Sequence, residues 1–592
     1  MCCVPTIKSP WRGSSLNTTF NPKSAQWFSA VESAETVSDV EATQWDDQAD
    51  FVVVGYGGAG MAAALEAVEG GLDVLAIDLF EGGGSTAMNG GVVDADGGTA
   101  IQQEAGVGDD VEEMYKYLKL ETQGVIKDAT LRRFCEQSPG MIDWLTGHGV
   151  RFDSALFKAK TSYPPQGYFL YHADSSLAPY HSSIAKPAAR GHKAWCAPTS
   201  AAIGFGKHLT DPLRKSASRR GVRFMAQTEA RKLIIDHSGA VVGISVVQMP
   251  PGPDAEECRR LMALATKWQM MLPSSFPGFN ITNGIAERYW KRANVLKSMH
   301  SIARRIRARQ GVCLSTGGFI QNRPMVQHYA PGYSASMAMG SPGDNGSGIR
   351  LGQTVGGAVD RLERISSWRF LNPPQAFAAG MLVNAKGERY VNEALYGAAV
   401  GQVLGDEQNG VGWLILDKNL YRKAQQQLRK DEMLPFQRQP GKLALLFSRK
   451  ARTLDQLSAK CGFDPQTLRN TAATYNRTAA GWQPDAFGKD QNDMHSIVDG
   501  PFYAIDVGAK SKLLPLSTMT VGGLKVNEET GEVLKEDGSS ITGLYAAGRA
   551  AIGLPSHLYI SGLSAADCFF SGRRAGAHAA SKVSVVASES EQ

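Results

Sequence analysis

FVVVGYGGAG at residues 51–60, followed by MAAALEAVEGG at 61–71 and LDVLAID at 72–78, is the stretch whose reading decides the fold. An apolar strand runs into Gly55-x-Gly57-x-x-Gly60, a helix follows, and a second apolar strand ends on Asp78, 23 positions after Gly55. Gly55 permits a tight turn, Gly57 lets the main chain approach a pyrophosphate, and Gly60 lets helix and strand pack closely. The helix N-terminus presents free N–H groups and a positive dipole end to the phosphates, and Asp78 is placed to accept hydrogen bonds from a ribose. A lone GxGxxG means little in a chain with 64 glycines. Strand, glycines, helix, strand and acid in this order specify a dinucleotide site.

The next segment selects the dinucleotide. EGGGSTAMNGGVVDADGGT at 81–99 is a second glycine-rich loop, which a nicotinamide enzyme does not need directly after its second strand. A flavin, with its ribityl chain and pyrophosphate laid through the protein, needs backbone N–H groups unobstructed by side chains. Near the other end of the chain, GLYAAGR at 543–549 reads as a short strand delivering a glycine turn, with a helix following at 564–580. No histidine lies between Phe80 and Ala100, so FAD is expected to be held without a covalent bond.

Composition agrees. At 592 residues and 63.6 kDa the chain has material for two cores. A net charge of +5 is too mild and dispersed to indicate a nucleic-acid partner. No run of eighteen apolar residues is present to span a membrane. Residues 1–47 are rich in Ser and Thr, lack a signal-peptide apolar core, and are expected to form an irregular arm. The eight cysteines (2, 3, 135, 196, 258, 313, 461 and 568) form no CxxC pair and no metal-ligand cluster. They read as reduced thiols of a cytoplasmic protein.

The expected architecture is α/β, a Rossmann-like FAD-binding domain (48–365 and 502–592) interrupted by a second α+β catalytic domain placed as a lid (366–501). GVCLSTGGF at 311–319 returns the chain to the flavin domain, GDNGSGIR at 343–350 opens another helix, and STMTVGG at 517–523 re-enters from the lid. A helical insertion is expected at 253–310. Leu261, Leu264, Trp268 and Met271 share a helical face, and after a break at Pro273 to Pro277 so do Ile285, Tyr289, Leu296, Met299, Ala303 and Ile306. Eleven Lys or Arg and one acid, Glu287, lie between Arg259 and Arg309. A basic amphipathic hairpin with Trp268, Phe276 and Phe279 as anchors is expected to touch the inner face of a membrane peripherally. A solvated helical pair or an oligomer interface is the equal alternative.

Taken in order, the glycine loop, GGGST, TGGF, GDxGxGI, GxRYxNE and GLYAAG resemble the fumarate reductase and 3-oxosteroid dehydrogenase superfamily of FAD enzymes, over residues 48–580. GMLVNAKGERYVNEALY at 380–396 and YISGLSAAD at 559–567 are most similar to the 3-oxo-5α-steroid 4-dehydrogenase branch. The resemblance implies cofactor contacts from Gly55, Gly57, Gly58, Ala59, Gly60 and Asp78. It implies further contacts from Gly83, Gly84, Ser85, Thr86, Asn89, Gly90 and Gly91, from Ala230, from Thr316, Gly317, Gly318 and Asp344, and from Gly548, Arg549, Gly562 and Leu563. It implies Tyr396 and Tyr559 as paired active-site tyrosines and Ser561 as the hydroxyl of the 4-dehydrogenase branch.

Dehydrogenation beside a ketone needs a hydride acceptor, a base for the proton alpha to the carbonyl, and a donor to the developing enolate oxygen. Flavin N5 is the expected acceptor, a Ser561–Tyr396 relay the expected base, and Tyr559 with the Gly562 N–H the expected donor. A steroid-like ketone is the expected substrate, with a quinone or another acceptor reoxidising the flavin. The alternatives are 1,2-desaturation, a fumarate-reductase-type enoate reductase with an Arg/His carboxylate clamp, and a non-catalytic flavoprotein. STMTV before Gly522 lacks the histidine of such a clamp.

Overall fold

The computed structural model describes residues 29–590 apart from 198–203, 270, 272–277, 335 and 430–432. Phe276, the proline break and the first 28 residues of the arm therefore lie outside the described residues.

Residues 51–54 are buried on both faces, which is why they read as a continuous apolar run and not as an alternation. They lie in a nine-stranded sheet with the order Glu35–Thr36, Thr228–Ile235, Val241–Gln248, Ile302–Leu314, Asp47–Val54, Val74–Ile77, Arg223–Met225. Ser540–Ala546 joins at Ile302–Leu314, and Glu532–Leu534 pairs with it. The thirteen-residue strand Ile302–Leu314 links two kinds of pairing. Its first half is antiparallel to Val241–Gln248; its second half runs parallel to residues 51–54 and 544–546. Helix Gly58–Glu69 lies against Leu563–Ser590 at small residues, so close that a Cβ on Gly572 would sit 2.3 Å from the Ala59 carbonyl oxygen.

Three expectations are corrected here. Ala303 and Ile306 do not extend the insertion's second helix, which ends at His300. From Ile302 the buried positions Ile306 and Ala308 alternate with arginines at a strand's period of two, and pairing with Val241–Gln248 overrides the helical reading. Arg305 pairs with Glu35, Arg307 with Glu41, Arg309 with Asp50, and Arg304 donates to Gln248, so these four cations do not face outward together. The arm's later part is ordered: Glu35–Thr36 pairs in parallel with Ile234 and Ile235.

The two insertion helices, Pro253–Gln269 and Phe279–His300, bury Cys258, Leu261, Met262, Ala265, Trp290 and Ala293 between them, with Phe80 of the flavin domain packed alongside. The lid is built on an antiparallel sheet of Met381–Val383, Trp413–Leu416, Phe502–Asp506 and Arg449–Ala451. Phe502–Asp506 therefore belongs to the lid and not, as the boundary at 501/502 implied, to the flavin domain. Its partners are distant in sequence, and its apolar run alone does not say which sheet it joins. The lid's apolar cluster also takes in residues as early as Phe319 and as late as Leu516.

The GERYVNE motif anchors the lid through charge. Glu393, fully buried, pairs with Arg389 at 2.8 Å and Lys489 at 3.0 Å and accepts from the Leu382 N–H. Burial alone would raise its pKa, but Lys489 and Arg389 outweigh that and hold it at about 2. A carboxylate depressed in the fold stabilises it above the unfolded pKa, and that contribution is lost as pH falls toward 2. Glu393→Gln takes from buried Lys489 its carboxylate partner and leaves Arg389 with Asp485 alone, and should cost about 3–5 kcal/mol. Thermal melts at neutral pH should show this loss, and the wild-type excess should shrink as pH is lowered toward 2.

Candidate active site

The glycine turn is shaped by what cannot fit there. A Cβ on Gly60 would lie 2.0 Å from the Gly55 carbonyl oxygen, whereas one on Gly57 would meet nothing nearer than 3.8 Å. Gly60 is thus the packing glycine and Gly57 the open wall of a cradle. Thr86 Oγ1 accepts from the Gly58 N–H at 3.1 Å, tying the second loop to the first. Asp78 accepts from the Tyr56 and Phe80 N–H groups, both at 2.8 Å, so its carboxylate braces the turn as well as standing at its ribose end. Gly83 and Gly84 adopt positive φ at the start of the short helix carrying Ser85 and Thr86. Asn89 closes the loop with a 2.7 Å bond from the Gly91 N–H, and the Gly90 carbonyl accepts from the Tyr163 hydroxyl.

Segments far apart in sequence converge on Asp344. Its carboxylate accepts from Ser85 and pairs with Arg549 at 3.0 Å, while Gly317 and Gly340 pass so close that a Cβ on either would strike it. Thr316 accepts from the Gly348 N–H at 3.0 Å, Gly318 packs on Thr520, and Gly548 donates to Ser571. Ala230 sits in the strand beside the Asp78 turn, two residues after Thr228, whose N–H bonds the Asp78 carbonyl. Leu563 is buried at the start of the last helix. These residues fit FAD: a glycine-walled cradle at a helix N-terminus with an acid at its far end and a shielded carboxylate–arginine pair across it.

The sequence did not point to Lys297 and Trp290. The Lys297 ammonium lies 5.7 Å from the centre of the Phe80 ring, Trp290 packs edge-on to the same ring, and burial lowers the Lys297 pKa while Asp78 is among the carboxylates that oppose this. The insertion therefore covers the acid end of the cradle.

Beside the cradle stands a cluster of hydroxyls. Tyr559 is half-buried, and its oxygen accepts from the Gly562 N–H at 3.2 Å. The Gly562 N–H, expected to aid Tyr559 as a donor to the ketone, here bonds to the Tyr559 oxygen itself. A Cβ on Gly562, whose φ is +90°, would lie 2.4 Å from the Asp94 nitrogen, so only glycine lets this turn settle on the strand Val92–Asp94. Ser561 shares a hydrogen bond with Tyr171 at 3.0 Å and stands close enough to the Tyr396 phenol to oppose the rise of its pKa. The Tyr396 and Tyr559 rings lie 6.4 Å apart, and the Tyr396 N–H is held by Ser175. Burial pushes the pKa of Tyr171, Tyr396 and Tyr559 upward, so all three are neutral phenols at pH 7.

Trp368 stacks edge-on against Tyr559 at 5.0 Å, and Phe370, about half exposed, packs on Tyr396. These two aromatics alternate on one face of an extended segment, SSWRF, a period-two signal the sequence reading passed over. Tyr171 carried no local signal; only sheet pairing brings it to Ser561. The flanking arginines are neutralised, Arg549 by Asp344 and Arg364 by Asp406 at 3.2 Å. Neutral donors, aromatic walls and matched cations suit a neutral ketone, and the two arginines named here are already paired and do not form a carboxylate clamp.

A family model described as an FAD binding domain matches residues 50–559. A 3-oxo-5-alpha-steroid 4-dehydrogenase of Comamonas testosteroni is 36% identical over 520 residues, covering 86% of this chain and 94% of that protein. The chain belongs to the FAD-dependent 3-oxosteroid dehydrogenase family. A 3-oxosteroid 1-dehydrogenase of Mycolicibacterium smegmatis is more distant, 25% identical over 590 residues, with 86% of this chain and 93% of that protein covered. Among solved structures, the 3-ketosteroid-delta4-(5alpha)-dehydrogenase of Rhodococcus jostii RHA1, in complex with 4-androstene-3,17-dione, superposes with a TM-score of 0.76 at 29% identity. It covers 92% of this chain and 99% of its own. The protein is an FAD-dependent oxidoreductase of the CH–CH class. Acid denaturation of the purified yellow protein should leave FAD in the supernatant; flavin retained in the pellet would overturn the non-covalent reading.

Proposed function

We propose that the protein introduces the 4,5 double bond into ring A of a 3-oxosteroid. The observation that carries this is Ser561, bonded to Tyr171 and beside the Tyr396 phenol, next to the Trp368–Phe370 wall. FAD, when bound, accepts the hydride. Tyr559, its oxygen already holding the Gly562 N–H, donates its proton to the ketone oxygen and stabilises the enolate as it forms. Ser561 takes the α-proton with Tyr396 beside it to share the charge. The aromatic walls exclude water and suit a flat apolar ring system, and the similar Rhodococcus enzyme is solved in complex with 4-androstene-3,17-dione.

Incubation with a 5α-3-oxosteroid and an artificial acceptor should yield the 4-ene-3-one; a 1,2-desaturated product would assign the protein to the 1-dehydrogenase branch instead. Tyr559→Phe and Tyr396→Phe should each slow turnover by roughly ten- to ten-thousand-fold with FAD still bound, and Ser561→Ala should act on 4,5-desaturation in particular. Wild-type rates in all three would place the chemistry elsewhere.

A peripheral membrane contact remains part of the proposal, on narrower grounds. Ile281, Arg288, Arg292, Val295 and Met299 fall on one helical stripe, and the three apolar members are 49–70% exposed. The described helices meet the condition for crossing a membrane nowhere. A shallow apolar and basic stripe suits an anionic surface, where steroid partitions and a quinone acceptor is at hand. Ile281→Asp with Met299→Asp should abolish co-sedimentation with anionic liposomes at low salt; intact protein that ignores them would end this reading.

A further inference from the structure

Behind the hydroxyls lies a set of buried charges that the proposed chemistry has not used. Asp94 ends the strand Val92–Asp94, directly opposite Gly191, and Tyr171 stands opposite Gly191 on the other side. Cross-strand neighbours share a face, so Asp94 and Tyr171 flank a position that has no side chain. A Cβ on Gly191 would lie 2.8 Å from Tyr171 Cε1, which puts the tyrosine ring in the space above Gly191 and on the Asp94 side of its strand. The Gly562 turn rests on the Asp94 backbone from the other direction.

Asp94 is fully buried, and neither of its carboxylate oxygens has a hydrogen-bond partner. Asp174 Oδ2 and Arg190 Nη1 are unpartnered too, and they stand 3.9 Å apart. The rest of the Arg190 guanidinium is spent on Asp96 and on Asp109, the latter at 3.1 Å. The charged and titratable groups facing Asp94 are Asp174, Arg190 and Glu121. The Cys135 thiol and the phenols of Tyr171, Tyr396 and Tyr559 face it from the neighbouring elements.

An unpaired buried carboxylate is costly unless it holds a proton or serves a task. Burial pushes Asp94 well above the usual carboxylate range, the Asp174 charge pushes it further, and Arg190 opposes both. Asp174 is likewise raised by burial, against the bonds from Ser176. Burial and mutual repulsion bias both carboxylates toward taking up a proton, against the pull of the one cation beside them.

We propose that the Asp94–Asp174 pair stores the α-proton taken from the substrate. It rests on the dehydrogenation proposed above. As the substrate C–H breaks, Ser561 gains that proton and gives its own to Tyr171, and Tyr171 passes its hydroxyl proton across the space over Gly191 to the Asp94 carboxylate. Every hydroxyl ends as it began, and the net change is one new O–H on the pair. Asp94 acts through Tyr171 and Ser561, so it is a positioning and proton-storing residue.

The test compares FAD-loaded wild type with Asp94→Asn, Tyr171→Phe and the double variant. In anaerobic stopped-flow with a 5α-3-oxosteroid, Asp94→Asn should slow flavin reduction by roughly a hundred-fold, at the low end expected for losing a proton acceptor. It should also remove the acid limb of the rate–pH profile. The double variant should be no slower than the worse single. Difference infrared spectra should show a protonated-carboxyl band growing on reduction in the wild type and absent from Asp94→Asn. An Asp94→Asn enzyme with the wild-type pH profile overturns the proposal, as does one that loses only thermal stability and FAD content, or one that keeps the band. Infrared titration of the oxidised proteins without steroid separates this from the substrate reading. A titrating band present in wild type and missing from Asp94→Asn supports the store even if no 3-oxosteroid reduces the flavin, and its presence in both refutes it.

Discussion

Residues 311–314 hydrogen-bond on one side to residues 51–54 and on the other to 544–546, and the whole site hangs from that parallel pairing. It sets the ends of three strands, drawn from the beginning, middle and end of the chain, side by side. Gly55 then leaves one strand, Thr316 the next and Gly548 the third, and the three turns face the same cradle. Parallel strands buried on both faces tolerate no slip, because a shift of one residue would move every side chain to the opposite face. The position of Arg549 against Asp344 follows from that register, as does the start of the last helix at Leu563.

The hydroxyl cluster depends on a second, smaller pairing. In the sheet of Val92–Asp94, Gly191–Lys193 and Leu170–Tyr171, the bare position at Gly191 gives the Tyr171 ring its place. The Tyr559–Gly562 turn then sets Ser561 against Tyr171, and the lid delivers Tyr396 from above, its N–H fixed by Ser175 of the flavin side. Three phenols with raised pKa values and a serine hold no net charge, so the cluster suits a neutral ketone better than a carboxylate. Among the described residues, charge nearby lies in the matched pairs of Arg364 and Arg549 and in the buried group of Asp94, Asp174 and Arg190.

Much of this was legible beforehand, for a definite reason. The Gly55–Gly60 turn, the Ser85–Thr86 loop, the TGGF and GLYAAG turns and the tyrosine-serine turn are local: each needs particular residues at fixed spacing because backbone geometry there admits little else. The failures were non-local. IARRIRAR read as a continuing helix because its partner strand, Val241–Gln248, is invisible to a window on one segment. Its arginines read as a free basic face because Glu35 and Glu41, from the arm, are two hundred and more residues away. Phe502–Asp506 was given to the wrong domain because an apolar run states that it is buried and not against what.

By itself, then, the sequence determined an FAD cradle and put forward the tyrosines and serine proposed for the chemistry, since spacing and residue type dictate turns and hydrogen-bonding capacity. Only the tertiary structure decided that Tyr171 joins Ser561, that Lys297 and Trp290 close over Phe80 at the acid end of the cradle, that Gly562 serves the Tyr559 oxygen, and that Asp94 stands unpaired behind them. Each of those is a meeting of side chains from strands or helices far apart in the chain, and such meetings are fixed by register and packing, which no local stretch of residues contains.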